Sequence, residues 1–223
     1  MTRKPERTPT RMTGEERRKQ ILQVAIGLFS KQGFSGATTK RIAEEAGVSE
    51  AMVFRHFATK KVLYSAILDF KACEGGMDAL PWEDEYIKGA VKKSDDFTVF
   101  NTLAKNALEH QQSDVAFVRL LFHSAFEKHE LAEMFFDEFV SQVYEFLCAY
   151  IRKRQQEGGM RDVEPRIIVR AFLGMILHHS LNNILWDKKR KLVNISNEEA
   201  AREFTTILLN GIKSEKQKVT GDE

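Results

Sequence analysis

Residues Thr38 to Lys60 read TTKRIAEEAGVSEAMVFRHFATK. Cap and turn chemistry makes this two short helices joined by a tight turn. Thr38 or Thr39 caps the first, and Ile42, Ala43 and Ala46 give it a narrow apolar side. Gly47 stands where a helix C-terminus favours a residue able to take the left-handed conformation. Val48 is placed to tuck into the core, and Ser49 is a good N-cap for a second helix from Glu50 to Phe57. Two helices crossing at a short turn that contains Gly form a helix-turn-helix, whose second helix enters a major groove. Ala43 is small, as a close helix crossing requires.

Working outward, Thr13-Gly14-Glu15-Glu16 is a capping box that opens a helix running to about Gln32. Ile21, Ala25, Leu28 and Phe29 form its stripe, Gly33 closes it, and Phe34 anchors the following loop in a three-helix core. From Thr59 a longer helix continues through Leu63, Ile67 and Phe70, ending near Gly75-Gly76 or fraying toward Leu80-Pro81. Residues 1–12 have Arg3, Lys4, Arg7 and Arg11 among prolines and threonines, without an apolar period, which predicts a flexible basic arm.

The segment FSKQGFSGATTKRIAEEAGVSEAMVFRHFATKKVL, Phe29 to Leu63, resembles the DNA-binding segment of the TetR family of bacterial regulators. The pattern is G-(F/Y), then T-x-x-I-A-x-x-A-G-V-S, then (Y/F)-x-H-F-x-x-K. That many positions at fixed spacing are far more specific than a generic helix-turn-helix. The resemblance covers about the first third of the chain; beyond it only helicity and length agree. It implies that Thr39 and Lys40 meet the duplex backbone or a groove edge, and that His56 and Lys60 contact phosphates. From the recognition helix, which Ser49 opens, Glu50, Ala51, Met52 and Arg55 would project toward base edges. Arg55 suits a guanine or a phosphate, Ala51 and Met52 a thymine methyl, and Glu50 a cytosine amino group. Phe54 stands where many members have Tyr, so a phosphate bond through that hydroxyl is replaced by packing on a sugar or a thymine methyl. Val53 and Phe57 face inward, toward Ile42 and Leu28.

Charge agrees with this division. Residues 1–61 hold 13 Lys and Arg against 6 Asp and Glu, a surplus of +7, while the remainder holds 21 against 26, or −5. A basic third on an acidic body is what a protein gripping phosphates at one end shows. No run of eighteen apolar residues occurs and the first residues have no apolar h-region, which predicts a cytoplasmic chain with no membrane span. Cys73 and Cys148 fit no metal or redox spacing and read as reduced thiols.

Beyond Trp82 helix follows helix. Asp95 to Gln111 and Ser113 to about Phe126 are candidates, and Lys128 to about Gln156 is a long Phe-rich helix with a break near Glu133. Pro165 opens another that runs to about Trp186, and a capping box at Ser196-Asn197-Glu198-Glu199 opens the last, ending near Ser214. The fold class is thus all-α: a helix-turn-helix domain over 13–60, a helical body over 61–214 that includes the linking helix, and a flexible tail over 215–223.

The resemblance implies that the body dimerises through its last two helices and binds a small molecule between the others. For the homodimer, Val169, Leu173, Ile176 and Ser180 share one face of the penultimate helix, and Phe204, Ile207, Leu208 and Gly211 one face of the last; burial within the monomer is the alternative. On the penultimate helix Phe172, Met175, His179, Asn182 and Trp186 are candidates to contact an apolar or amphipathic effector. Phe117, Leu121, Phe126, Phe139 and Val143 are the facing candidates. An aromatic stripe is also how a packed core reads. His178 and His179 point about 100° apart on a helix, so they do not share one metal ion readily. No nucleotide loop or nucleophile elbow occurs, and no cofactor is implied. The function these features imply is regulation of transcription, as a repressor released from double-stranded operator DNA by a ligand. A ligand-independent architectural protein would share the head but have a filled body. A helical enzyme with a DNA-binding head would need a catalytic constellation in the body.

Overall fold

Side-chain oxygens open most of the helices. The computed structural model describes residues 12–75 and 80–214; the basic arm up to residue 11, the tail from 215 and the Gly75-to-Leu80 connection lie wholly or partly outside them. Helix α1 spans Gly14–Gly36, and its Thr13 capping box forms in full: Thr13 Oγ1 accepts from the Glu16 amide and the Glu16 carboxylate from the Thr13 amide. Gly33, at φ 69°, interrupts α1 one residue after the predicted end. Helix α2, Thr39–Glu45, is capped by Thr38, and α3, Glu50–His56, by Ser49. Helix α4, Lys60–Gly75, begins where Thr59 Oγ1 accepts from the Val62 amide at 3.1 Å.

The body continues through a 3₁₀ turn, Pro81–Glu83, into α5, Glu85–Lys92, capped by Asp84. Helix α6 spans Asp96–Ser113 behind Asp95, and α7 spans Val115–Phe126 behind Asp114. The predicted long helix that follows is in three pieces: α8, Glu130–Phe135; a π-helical segment, Phe136–Val140; and α9, Ser141–Gln156. Its irregularity is therefore a widened turn at Phe136, not a break at Glu133. Helix α10, Pro165–Leu181, runs into a second π-helical segment, Asn182–Trp186. Helix α11, Asn197–Ile212, opens with half of its box: Ser196 accepts from the Glu199 amide. Among the described residues there are no strands, only an isolated bridge between Met160 and Lys213. The class is all-α, as the sequence indicates. No described helix is long and apolar enough to cross a membrane.

Two apolar cores organise the chain. The first joins α1, α2 and α3 to Leu63, Tyr64 and Ile67 of α4, and then to Phe117 and Leu120 of α7 and Leu131 of α8. The head's core therefore does not stop at residue 60. The second holds α5, α6, α9, α10 and α11 together, with Phe100 edge-on to Phe172 at 5.1 Å. A polar knot closes one end of the body. Arg154 of α9 forks onto Asp96 of α6 at 2.7 and 3.1 Å, the Tyr150 hydroxyl donates to the same carboxylate at 2.6 Å, and Arg154 also reaches Glu157.

The penultimate helix departs from its expected division of labour. Val169, Ile176 and Ser180 are buried inside the monomer, as is Leu208 of α11, which is the alternative of burial within the monomer. A helix with apolar residues on several sides gives no periodic signal for which side the monomer uses. The outward residues include Ile167, Gly174 and Leu177 on α10 and Ile207 and Gly211 on α11; Ile167 is 63% exposed and Ile207 61%.

Candidate nucleic-acid interface

Seven residues are too few for a free-standing helix in water, so α3 must be held from outside. Ser49 Oγ accepts from the Met52 amide at 3.2 Å. Gly47, at φ 65°, lets the chain turn so that the Val48 amide reaches Ala43 O at 3.0 Å and Val48 lies half-buried on the core. Val53 and Phe57, four apart, are fully buried. Helix α1 adds two ties at long sequence separation. Arg18 Nη1 donates to His56 O at 3.2 Å, and its guanidinium lies 4.4 Å from the centre of the Phe57 ring. Gln20 Nε2 donates to Ala46 O at 3.1 Å. Each supplies a donor to a helix C-terminus, where carbonyls lack intrahelical partners. Sequence reasoning missed both, because an Arg and a Gln on a helix carry no local sign of such a role.

With Val53 and Phe57 inward, Ala51, Phe54 and Arg55 are turned out, and Phe54 is 44% exposed. Met52 and His56 are half-buried at the edges of that face, and Lys40 is exposed on α2. Thr39 Oγ1 donates to Glu50 Oε1 at 2.5 Å, tying the two helices together across the turn. Burial, then the charges of Arg55, Arg18 and Arg17, hold the His56 imidazole below its ordinary pKa. Lys60 differs from the rest: its ammonium sits 4.3 Å from the centre of the Phe34 ring, and burial lowers its pKa. The expected contact residues other than Lys60 thus lie on the α2–α3 unit, while Lys60 faces the seam with the body.

That seam is built by the link between α7 and α8. Glu127 Oε2 accepts from the Phe34 amide at 2.9 Å. His129 packs against Phe34 and Tyr64, with centroids 4.3 and 4.4 Å away. Glu130 accepts from Ser65 Oγ at 2.9 Å and pairs with Lys61 at 2.9 Å. Phe34 therefore joins the head to the body as well as anchoring its loop. The Tyr64 hydroxyl is buried beside Ser124 but outside hydrogen-bond geometry, and burial pushes its pKa up to about 12.

The ten expected effector residues do not converge. Met175, His179 and Asn182 line one cavity of about 360 Å³ with Phe204, Leu192 and Val193. Phe117 and Phe172 are packed core residues, Leu121 rests half-buried on the first core and Val143 on the second, and Phe139 stacks on Phe135 at 5.5 Å. Phe126 and Trp186, 82% and 70% exposed, point to solvent at the ends of their helical segments. A second cavity, about 260 Å³, opens between α6, α7 and the end of α10 and contains none of the ten.

The family profile of bacterial regulatory proteins of the tetR family matches residues 21–67. The chain is 23% identical over 198 residues to the HTH-type transcriptional regulator YvkB of Bacillus subtilis, covering 88% of this chain and 97% of that one. It is 28% identical over 160 residues to the HTH-type transcriptional regulator AcrR of Shigella flexneri, covering 71% and 70%. Its fold is similar to AibR, solved in complex with isovaleryl coenzyme A and operator DNA, with a TM-score of 0.61, 21% identity, and coverage of 86% and 98%.

Proposed function

This chain belongs to the tetR family of bacterial regulatory proteins, and from that membership we propose that it is a dimeric repressor that an effector releases from a pseudo-palindromic operator. The observation that carries the reading is the outward face of α3, where Ala51, Phe54 and Arg55 are free of the core while Val53 and Phe57 lock the helix beneath them. Thr39, Lys40 and His56 flank that face, and Ser49, Glu50 and Met52 complete it. Lys60 joins them by leaving Phe34 for a phosphate. Two copies of α3 related by a two-fold axis would meet two half-sites one helical turn or a multiple apart.

The outward residues Ile167, Leu177 and Ile207, with exposed Gly174 and Gly211 on the same two helices, support pairing of α10 and α11 with the same helices of a second copy. The hollows beside α10 support an effector, and the bonds from Glu127 and Glu130 to the head, with the packing of His129 on Phe34 and Tyr64, support its transmission. AibR, a fold relative bound to both an acyl coenzyme A and operator DNA, is consistent with that arrangement. The test is selection of bound duplexes from a random pool by the full-length protein near physiological salt. A recovered palindrome with two half-sites is expected. Salt-sensitive binding with no recovered motif would overturn the operator reading in favour of an architectural protein.

A further inference from the structure

The 260 Å³ cavity has an apolar floor and a basic rim. Leu108 of α6, Val115 of α7 and Ile184 of the second π-helical segment form the floor. Arg119 of α7 and Lys188 and Arg190 of the link to α11 also line the cavity, the arginines half-buried and the lysine exposed, and no carboxylate does. None of the three cations has an ion-pair partner among the described residues. Asp187, a neighbour in sequence, accepts from the amides of Lys191 and Leu192 at 2.7 and 2.8 Å and feels the charge of Arg190 without forming an ion pair with it. Three cations around one hollow run against the acidic balance of residues 62–223, so they are not the body's average surface. The amide of Asn183 adds a neutral donor, while that of Asn197 donates to Gln112, also in the lining.

We propose that this cavity binds a medium-chain amphipathic anion, its acid group held by Arg119, Lys188 and Arg190 and its apolar part resting on Leu108, Val115 and Ile184. The site lies just below the volume range of about 300–1,000 Å³ that suits drug-sized ligands, so a medium-chain acid such as octanoate fits it best. The assignment deepens the effector reading above and rests on it. Arg119 also gives the site a route to the head. It lies eight residues before Glu127, about 12 Å along the helix direction at 1.5 Å per residue. An anion drawing Arg119 inward moves the helix whose end holds the Phe34 amide.

The test is calorimetric titration of the full-length protein with sodium octanoate, octyl phosphate and 1-octanol. At least one anion should bind about tenfold or more tightly than the alcohol, the gain of a charge-assisted hydrogen bond; the tighter of the two identifies carboxylate or phosphate as the preferred head. Arg119→Gln combined with Lys188→Gln and Arg190→Gln should abolish that preference, and Arg119→Lys alone should keep most of it. Equal binding of octanol, full affinity in the triple variant, or no binding of any probe overturns the proposal. Operator release is read separately. An anion that binds without releasing operator leaves the site standing and sinks the effector reading; operator recognition that persists while no anion binds sinks the site alone.

Discussion

Glu127 reaches across from the end of α7 to hold the backbone amide of Phe34 at 2.9 Å, so a body residue caps the turn that ends the head's first helix. The turn is shaped for it. Gly33 sits at φ 69°, and a Cβ there would overlap the Glu127 carboxylate. Glu127→Ala removes the bond from an exposed site and should cost about 0.5–1.5 kcal/mol of stability. Its larger effect should be on communication. Effector-induced release of operator should weaken in the variant while operator affinity without effector stays within a few-fold. Equal release by the variant and the parent protein would place the coupling elsewhere.

Gly33→Ala attacks the same bond from the other side. It forces a side chain into the left-handed region and displaces the carboxylate, and a strained backbone position costs about 1–3 kcal/mol. Chemical denaturation should show that loss. Adding Glu127→Ala relieves the clash but not the strain, so the double variant should lose less than the sum of the two. Simple additivity would mean that the two residues do not interact in solution.

The seam was not legible in the sequence, although the elements on both sides of it were. Thr13, Thr38, Ser49 and Ser196 declare helix starts through bonds to residues three positions on, and the spacing from Gly33 to Lys60 is local too. Glu127 and Phe34 are 93 residues apart, and nothing near either one announces the other. Helix α5 was missed because it is short, eight residues with only Ile87 and Ala90 buried. The effector candidates scattered for a different reason: aromatic residues on α7 to α10 alternate between packed core and cavity wall, and periodicity treats Phe172 and Met175 alike. The basic cavity drew no notice because its cations come from a helix and a loop about seventy residues apart.

His129 gives the seam a pH dependence. Burial dominates its lowered pKa; Lys61 and Lys60 push the same way, and Glu130 and Glu127 oppose them. A lowered imidazole pKa means that the unfolded chain binds the proton more readily. Stability is therefore full above the ordinary value of 6.5 and falls as the pH drops through it. His56 and His179 are shifted in the same direction. His129→Phe keeps a ring between Phe34 and Tyr64 and removes the titration. Denaturation between about pH 7.5 and about pH 5.5 should give a shallower decline in this variant than in the parent. Identical slopes would assign the dependence to the other two histidines.

The Arg154–Asp96 pair carries a large stability prediction with no direct part in DNA binding. Both side chains are largely buried, and Tyr150 adds a third bond to the carboxylate. Removing one partner leaves the other charged and unpaired, at a cost of about 3–5 kcal/mol. Arg154→Met should show that cost in denaturant, whereas Tyr150→Phe should cost about 1 kcal/mol. The recognition helix is on the other core, so folded Arg154→Met protein should bind operator with parental affinity. A loss below about 1 kcal/mol would mean that water reaches the pair.

On the recognition face, the residues divide by what they are free to do. Arg55 is exposed, whereas Glu50 has its Oε1 held by Thr39 Oγ1 and keeps its second oxygen to accept from a cytosine. Arg55→Ala should cost about 1–3 kcal/mol on operator and much less on random duplex if it reads a base. Equal losses on both would make it a phosphate ligand. Thr39→Val removes the bond that fixes the Glu50 carboxylate and should lower any preference for cytosine at the facing position. His56→Ala with Lys60→Ala should weaken all duplexes alike and reduce the salt slope by about 0.9 for each phosphate that the variant no longer neutralises. Lys60 must first leave the Phe34 ring, 4.3 Å away, so its share of the affinity is reduced by that attraction. Phe34→Leu weakens the competing site, and the lysine's contribution to DNA binding should then rise. An unchanged salt slope in the double variant would remove both residues from the phosphate-binding set and leave Lys60 a residue of the seam.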